Sequence, residues 1–366
     1  MQTEHSNQTI DIFCRVIDNF GDAGVMWRLA RAMRDEGFSV RLIIDEPETL
    51  KHLAGVNPQT PVSEIGRAEQ INVCLWEKSW DEGSCPLDVA DVVIEGFACR
   101  LPAAYQAKMP QVLPKWFNID YFSAEDWIEE CHLVPSIDPA SGIVKINYFP
   151  GVTERSGSLI IEQNYEELER LFKRNLRRDD HTVRVLYFGY PYGPIEKIAV
   201  AFESAPHSIH VSAARCPAGD LLIDKLNAQN CSHVRCERLP FVAQKDFDRL
   251  LWSNDIAFIR GEDSAARAMI AGTPFLWHIY HQDENAHMVK LQALEDRIKP
   301  FFKDPELFEQ WSQLQEAMNN GEFDAMLFRQ LIENHSSWKE ASLGFARHIR
   351  SLGSLNKKLS QLIKNG

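Results

Sequence analysis

Asp18 and Asp22 stand four residues apart in "VIDNFGDAGVMWRLARAM", residues 16–33. The segment reads as a buried strand, a seven-residue loop and a helix. Such strand-to-helix loops often bind phosphate, and two carboxylates would work against that. They suit a cation. A guanidinium offers five donors in a rigid fork that carboxylates match in paired contacts. With a pKa above about 12 it is a poor nucleophile unless a base takes its proton during attack. Read locally, the same residues have plainer roles: Asp22 as the N-cap of the following helix, and Asp18 in an Asx turn at the strand end.

A second group occurs in "FIRGEDSAARAMIAGTPFLWHIYHQDENAH", residues 258–287. The strand "DIAFIR" delivers Arg260, Gly261, Glu262, Asp263 and Ser264 to a sheet edge. Ser264 is expected to begin a helix whose N–H groups and dipole suit an anion. Arg260 adds a charge with bidentate geometry for phosphate, and Gly261 lets the backbone come close. The local alternative is an ordinary helix start, with Asp263 or Ser264 capping and Arg260 paired to a nearby carboxylate. His278 and His281 lie three apart beside Asp283 and Glu284, but on a segment that starts as a strand they need not share a face. No metal site is expected.

The elements that must position these groups alternate between strand and helix. "TIDIFCRVI", "FSVRLIID", "INVCLW" and "ADVVIEGF" read as strands. The helix after the opening loop carries Val25, Leu29 and Met33 on one face and stops at Gly37. Residues 100–165, rich in Pro, Trp, Tyr and Phe, look like an irregular insertion, either binding a partner or covering a core. The rhythm restarts near residue 182 with "TVRVLYFGY", "SIHVSAA", "HVRCERLPF", "DIAFIR" and "PFLWHIY", and the last 30 residues read as helix. The expected fold is α/β with two doubly wound Rossmann-like domains facing each other across a cleft. Their spans are 1–170 and 171–349, with a helix near 350–366 packing back on the first. Ligands in such sheets bind at the carboxyl ends of the strands, where both candidate loops fall.

The chain has 366 residues and a formal net charge of −13, with 45% hydrophobic and 25% charged residues. That balance suits a globular protein of two domains. Its acidity argues against nucleic-acid binding, and the basic run "KRNLRR" reads as a solvated helix face. No apolar run reaches membrane-span length and the N-terminus has no signal-peptide core. The eight scattered cysteines match no zinc or disulfide framework. A cytoplasmic location without membrane partners is expected. GxGxxG, GxSxG and Walker A patterns are absent.

The segment "AGTPFLWHIYHQDENAH" resembles the donor-pocket segment of inverting nucleotide-sugar glycosyltransferases of the GT-B fold, through Gly272, Pro274, Gln282, Asn285 and Ala286. More specifically, "DIFCRVIDNFGDAGVMWRLARAM" with "FIRGEDSAARA" resembles the protein-arginine rhamnosyltransferases of elongation factor P. The likeness extends through the aromatic segment, "YFGY" and "LPFVAQKDFDRLLW", over most of the chain. It implies inverting transfer of L-rhamnose from dTDP-β-L-rhamnose to one arginine of the translation factor. It puts the catalytic carboxylates at Asp18, Asp22 and Glu262. The nucleotide-sugar site falls on Gly21, Phe188, Tyr190, Phe241, Gln244, Arg260, Glu262, Asp263 and Ser264, with Tyr192 as an alternative to Tyr190.

Within that resemblance the two aspartates make sense beside a cationic acceptor. Asp22 is the candidate base and Asp18 would orient the guanidinium. The helix near Ser264 and Arg260 would stabilise the leaving dTDP without a metal. Glu262 would hold a sugar hydroxyl or the ribose. Two other readings stay open: a glycosyltransferase with a lipid or small-molecule acceptor, and a nicotinamide-dependent oxidoreductase or non-catalytic nucleotide binder. The missing GxGxxG and the loop carboxylates weigh against the last, and the lack of a basic or apolar docking face weighs against a membrane acceptor.

Overall fold

The computed structural model describes residues 8–17, 20–176 and 181–365. The chain divides into two compact units, Met1–Gln163 with Leu352–Gly366, and Asn164–Ser351. Asp18 lies outside the described residues.

The first unit is built on seven strands: β1 (Thr9–Cys14), β2 (Ser39–Ile44), β3 (Asn72–Leu75), β4 (Val92–Gly96), β5 (Lys115–Ile119), β6 (Pro135–Ile137) and β7 (Val144–Tyr148). They run in the order β3-β2-β1-β4-β5-β7-β6. All neighbours are parallel except the antiparallel pair β6 and β7. The central strands are buried on both faces, which is why they read as continuous apolar runs. Residues 100–165 therefore contain no mere insertion. They supply β5, β6 and β7, and Trp116 and Phe117 are buried in the core. The shortness of these strands and the Pro-rich links between them hid the strand pattern.

The helix Gly21–Asp35 packs after β1 with Leu29 and Met33 fully buried. The last helix, Leu355–Asn365, belongs to this unit. It inserts Leu355, Leu359 and Ile363 into the core around Ile10, Ile12 and Leu42. Leu355 N donates to Leu159 O at 2.8 Å, and Asn356 Nδ2 to Glu36 Oε1 at 2.8 Å.

The second unit carries β8 (Thr182–Tyr187), β9 (Ser208–Ala213), β10 (Val234–Arg238), β11 (Ile256–Arg260) and β12 (Phe275–His278), all parallel, in the order β10-β9-β8-β11-β12. Each sheet is doubly wound. The chain leaves β1 toward β2 and β3 on one side and returns to β4 on the other. It likewise leaves β8 toward β9 and β10 and returns to β11. The topological switch points, where such sheets open a crevice for ligands, thus lie between β1 and β4 and between β8 and β11. No helix among the described residues is long and apolar enough to cross a membrane.

Candidate active site

At the first switch point, Asp22 sits in the opening turn of the helix that follows β1, and it is 2% exposed. It is not the N-cap. That position is Phe20, which makes no side-chain cap bond. The Asp22 carboxylate instead folds back over the loop: Oδ2 accepts from Ile17 N at 2.8 Å and Oδ1 from the Tyr121 hydroxyl at 2.7 Å. It therefore ties the loop to the end of β5 as well as to its own helix. Burial pushes the Cys14 thiol well above its ordinary value, and the nearby Asp22 carboxylate adds to this. Gly21 is half-buried at the start of the same helix.

The opposite wall of this switch point, after β4, has an unusual backbone. Phe97, Ala98 and Arg100 have φ of 56°, 51° and 59°, the left-handed region that costs non-glycine residues about 1–3 kcal/mol each. They are held there by specific bonds. Phe97 N donates to Ile119 O at 2.8 Å, Ala98 N to Asn118 Oδ1 at 2.8 Å, and Arg100 N to Glu95 Oε1 at 2.7 Å. Glu95 is itself buried and paired with Lys145 at 3.1 Å. The Phe97 ring stacks on Tyr121, centroids 4.1 Å apart and planes 10° from parallel.

At the second switch point, β11 runs into the helix Gly261–Ala271 with no intervening loop. Arg260 is the N-cap residue, so the helix starts at Gly261 and not at Ser264, and neither Asp263 nor Ser264 caps it. The abrupt turn needs Gly261 at φ +66°, which glycine adopts without a Cβ clash. Its carbonyl accepts from Trp277 Nε1 at 2.8 Å. Glu262, Asp263 and Ser264 then make up the first turn, all half-buried. The first backbone N–H groups of such a helix lack intrahelical partners and suit an anion.

Among the described residues Arg260 takes no carboxylate partner, unlike the local alternative. Its guanidinium lies over the rings of Phe188 and Tyr190, 4.4 and 4.9 Å from their centroids, and donates to Gly189 O at 3.5 Å. The loop after β8 and the end of β11 thus form one layer of two aromatic rings and a fixed cation. Tyr190 and Tyr192 stack at 5.1 Å with planes 7° apart, Tyr190 nearly buried and Tyr192 exposed. Tyr192 thus extends the stack that Arg260, Phe188 and Tyr190 form. Gln244 Nε2 donates to Asp263 Oδ2 at 3.2 Å, and Lys290 pairs with Glu262 at 3.3 Å. Phe241, beyond the end of β10, is 47% exposed.

Sequence reasoning weighed His278 and His281 only as metal ligands and did not foresee their place against the tyrosines. His278, at the end of β12, packs edge-on against Tyr190 and Tyr192, and Tyr190 N donates to its Nδ1 at 3.4 Å. His281 stacks on His287 at 4.8 Å and lies against Tyr192. Burial, then His281 and then Arg260, hold the His278 ring down to about 4. The ring is neutral near pH 7 and leaves Arg260 as a strong fixed positive charge. Among the described residues no group of His, Cys, Asp or Glu is arranged to hold a metal ion. Tyr121, Phe97 and Lys290 were also missed. "IDYF" and "EGF" carry no signal that they meet near Asp22.

Two Rossmann-like sheets, each with its candidate groups at the switch point, fit the GT-B fold. The solved structure of EarP, which glycosylates an arginine of translation elongation factor EF-P, superimposes with a TM-score of 0.64 at 23% identity, covering 98% of this chain and 100% of that one. Residues 10–364 match the model of the family described as elongation factor P (EF-P) rhamnosyltransferase EarP, and the chain belongs to that family. A protein-arginine rhamnosyltransferase of Pseudomonas putida is 40% identical over 315 residues, 78% of this chain and 80% of its own. One from Neisseria meningitidis serogroup B is 35% identical over 381 aligned positions, 96% of each chain.

Proposed function

We propose that this enzyme transfers L-rhamnose from dTDP-β-L-rhamnose to an arginine side chain of elongation factor P, inverting the anomeric centre. The observation that carries the reading is the pairing of a fixed cation with an aromatic layer at a helix N-terminus in the second unit, beside family membership over residues 10–364. Phe188, Tyr190 and Phe241 are suited to the thymine ring. Arg260 and the N–H groups of the helix Gly261–Ala271 are suited to the diphosphate. Gln244, Asp263 and Ser264 supply polar partners for the nucleotide sugar, and Glu262 a carboxylate for a hydroxyl of the sugar or ribose.

The acceptor chemistry falls to the first unit. An arginine nitrogen attacks C1 of the rhamnose, the C1–O bond to the diphosphate breaks, and dTDP leaves with its electron pair. The proton of the attacking nitrogen passes to Asp22 and then to solvent. The bonds from Ile17 N and Tyr121 hold the Asp22 carboxylate in place for that proton. Asp18, four residues before it, would hold the rest of the guanidinium. Charge on the leaving group is met by Arg260 and the helix dipole, and no metal is needed for it. The enzyme would act in the cytoplasm, where its translation-factor substrate is found.

Purified elongation factor P incubated with this enzyme and dTDP-rhamnose should gain the mass of one deoxyhexose, and peptide mapping should place it on an arginine. An unmodified factor in the presence of donor hydrolysis or of transfer to a small molecule would instead favour a different acceptor.

A further inference from the structure

The residues around Asp22 carry an inference that rests on the reading of Asp22 as the base. We propose that Tyr121, clamped by Phe97, is a positioning residue that fixes the Asp22 carboxylate for proton removal without neutralising it.

The hydroxyl of Tyr121 reaches Asp22 Oδ1 at 2.7 Å, the short range of an O–H bond to a charged acceptor. Its ring has one face covered by Phe97 in a nearly parallel stack, so the phenol has little freedom to swing. Phe97 in turn is fixed by strained backbone. The left-handed run Phe97, Ala98 and Arg100 persists because Ile119 O, Asn118 and the buried Glu95 each hold one of its N–H groups. Strain of this kind is kept where the surrounding structure over-determines it and tends to mark a functional site. Here it ends in one ring whose neighbour touches the candidate base.

The choice of donor is informative. Two other buried carboxylates are met by cations, Glu95 by Lys145 and Asp248 by Arg267, while the buried Glu295 is met by the Ser312 hydroxyl. At Asp22 one oxygen takes the phenol of Tyr121 and the other the backbone N–H of Ile17. A phenol stabilises and aims a carboxylate yet brings no positive charge. A lysine or arginine in its place would cancel the charge that draws a guanidinium and would repel the incoming cation. The Cys14 thiol, pushed up chiefly by burial, lies near Asp22, and Asp45 accepts from Val16 N at 2.9 Å.

Tyr121→Phe keeps the ring and its stack and removes only the donor. Single-turnover rates should be measured across pH for wild type, Tyr121→Phe, Asp22→Asn and the double variant, with dTDP affinity and melting temperature as controls. Tyr121→Phe should keep its fold and dTDP affinity and lose about tenfold in rate near pH 7. The acid limb of its profile should move up, because a carboxylate base that loses a hydrogen-bond donor holds its proton more tightly. In the Asp22→Asn background the same substitution should add almost nothing, since the two groups act as one unit. A wild-type rate and acid limb in Tyr121→Phe, with Asp22→Asn inactive, would overturn the positioning role and leave the base intact. Equal losses in both backgrounds would overturn it too, as a general structural effect. A wild-type rate in Asp22→Asn would overturn the reading of the base itself.

Discussion

Replacing Arg260 by alanine removes one charge from the second switch point and little else. Its backbone stays in β11, paired at His278 in β12. Its side chain contributes one long bond to Gly189 O and the faces of Phe188 and Tyr190. Loss of those contacts should change folding stability by no more than about 1 kcal/mol. Ligand binding should change far more. A hydrogen bond to a charged group is worth about 1.5–3 kcal/mol, and each 1.4 kcal/mol is about tenfold in affinity. Titration calorimetry should therefore show dTDP binding roughly 10- to 150-fold weaker in Arg260→Ala. Arg260→Lys should fall between, because an ammonium keeps the charge and loses the planar fork that lies on the two rings. The same variant has a spectroscopic signature. Arg260 is one of the groups that depress His278, so the imidazole of Arg260→Ala should titrate above about 4. Wild-type dTDP affinity in Arg260→Ala, with a normal melting temperature, would remove the assignment of this guanidinium to the diphosphate.

Phe188→Ala and Tyr190→Ala should each weaken dTDP binding, and full retention in both would exclude stacking on the base. Transfer should persist in excess EDTA; a loss reversed by Mg²⁺ or Mn²⁺ would show that the leaving group needs a cation. Glu295 is fully buried, with Ser312 Oγ on one oxygen at 2.7 Å, and burial pushes its acid up to about 8. It stays protonated in the fold while the unfolded chain ionises near 4.5, so its contribution is complete below that value and is lost as pH rises through 8. Glu295→Gln should flatten the decline of melting temperature between pH 6 and pH 8, and an unchanged slope would contradict this.

The β–α rhythm was legible because parallel strands buried on both faces read as apolar runs; "ADVVIEGF" and "DIAFIR" became β4 and β11 nearly as expected. The two loops could be found as well, since each follows such a strand. The start of the helix at Gly261 was misread. Sequence signals for a helix start are capping side chains, whereas this one is made by a left-handed glycine directly after a strand. The strands in residues 100–165 were hidden by their length, three to five residues each. The surroundings of Asp22 were not legible at all. Tyr121 lies 99 residues from it, and only the pairing of β1 with β4 and of β4 with β5 brings it there. Asp22 itself looked like a cap by spacing, yet its carboxylate binds Ile17 N and Tyr121.

The central claim is that Asp22 removes the proton from an attacking arginine. Asp22→Asn tests it most directly. The amide oxygen can still accept from Ile17 N and the amide N–H can donate to the Tyr121 oxygen, so the loop should keep its tie to β5. With donor bound and elongation factor P in excess, the single-turnover rate of rhamnose transfer should fall about a hundredfold or more, while melting temperature and dTDP-rhamnose affinity stay near wild type. A folded, donor-binding Asp22→Asn enzyme that transfers rhamnose at the wild-type rate would contradict the account.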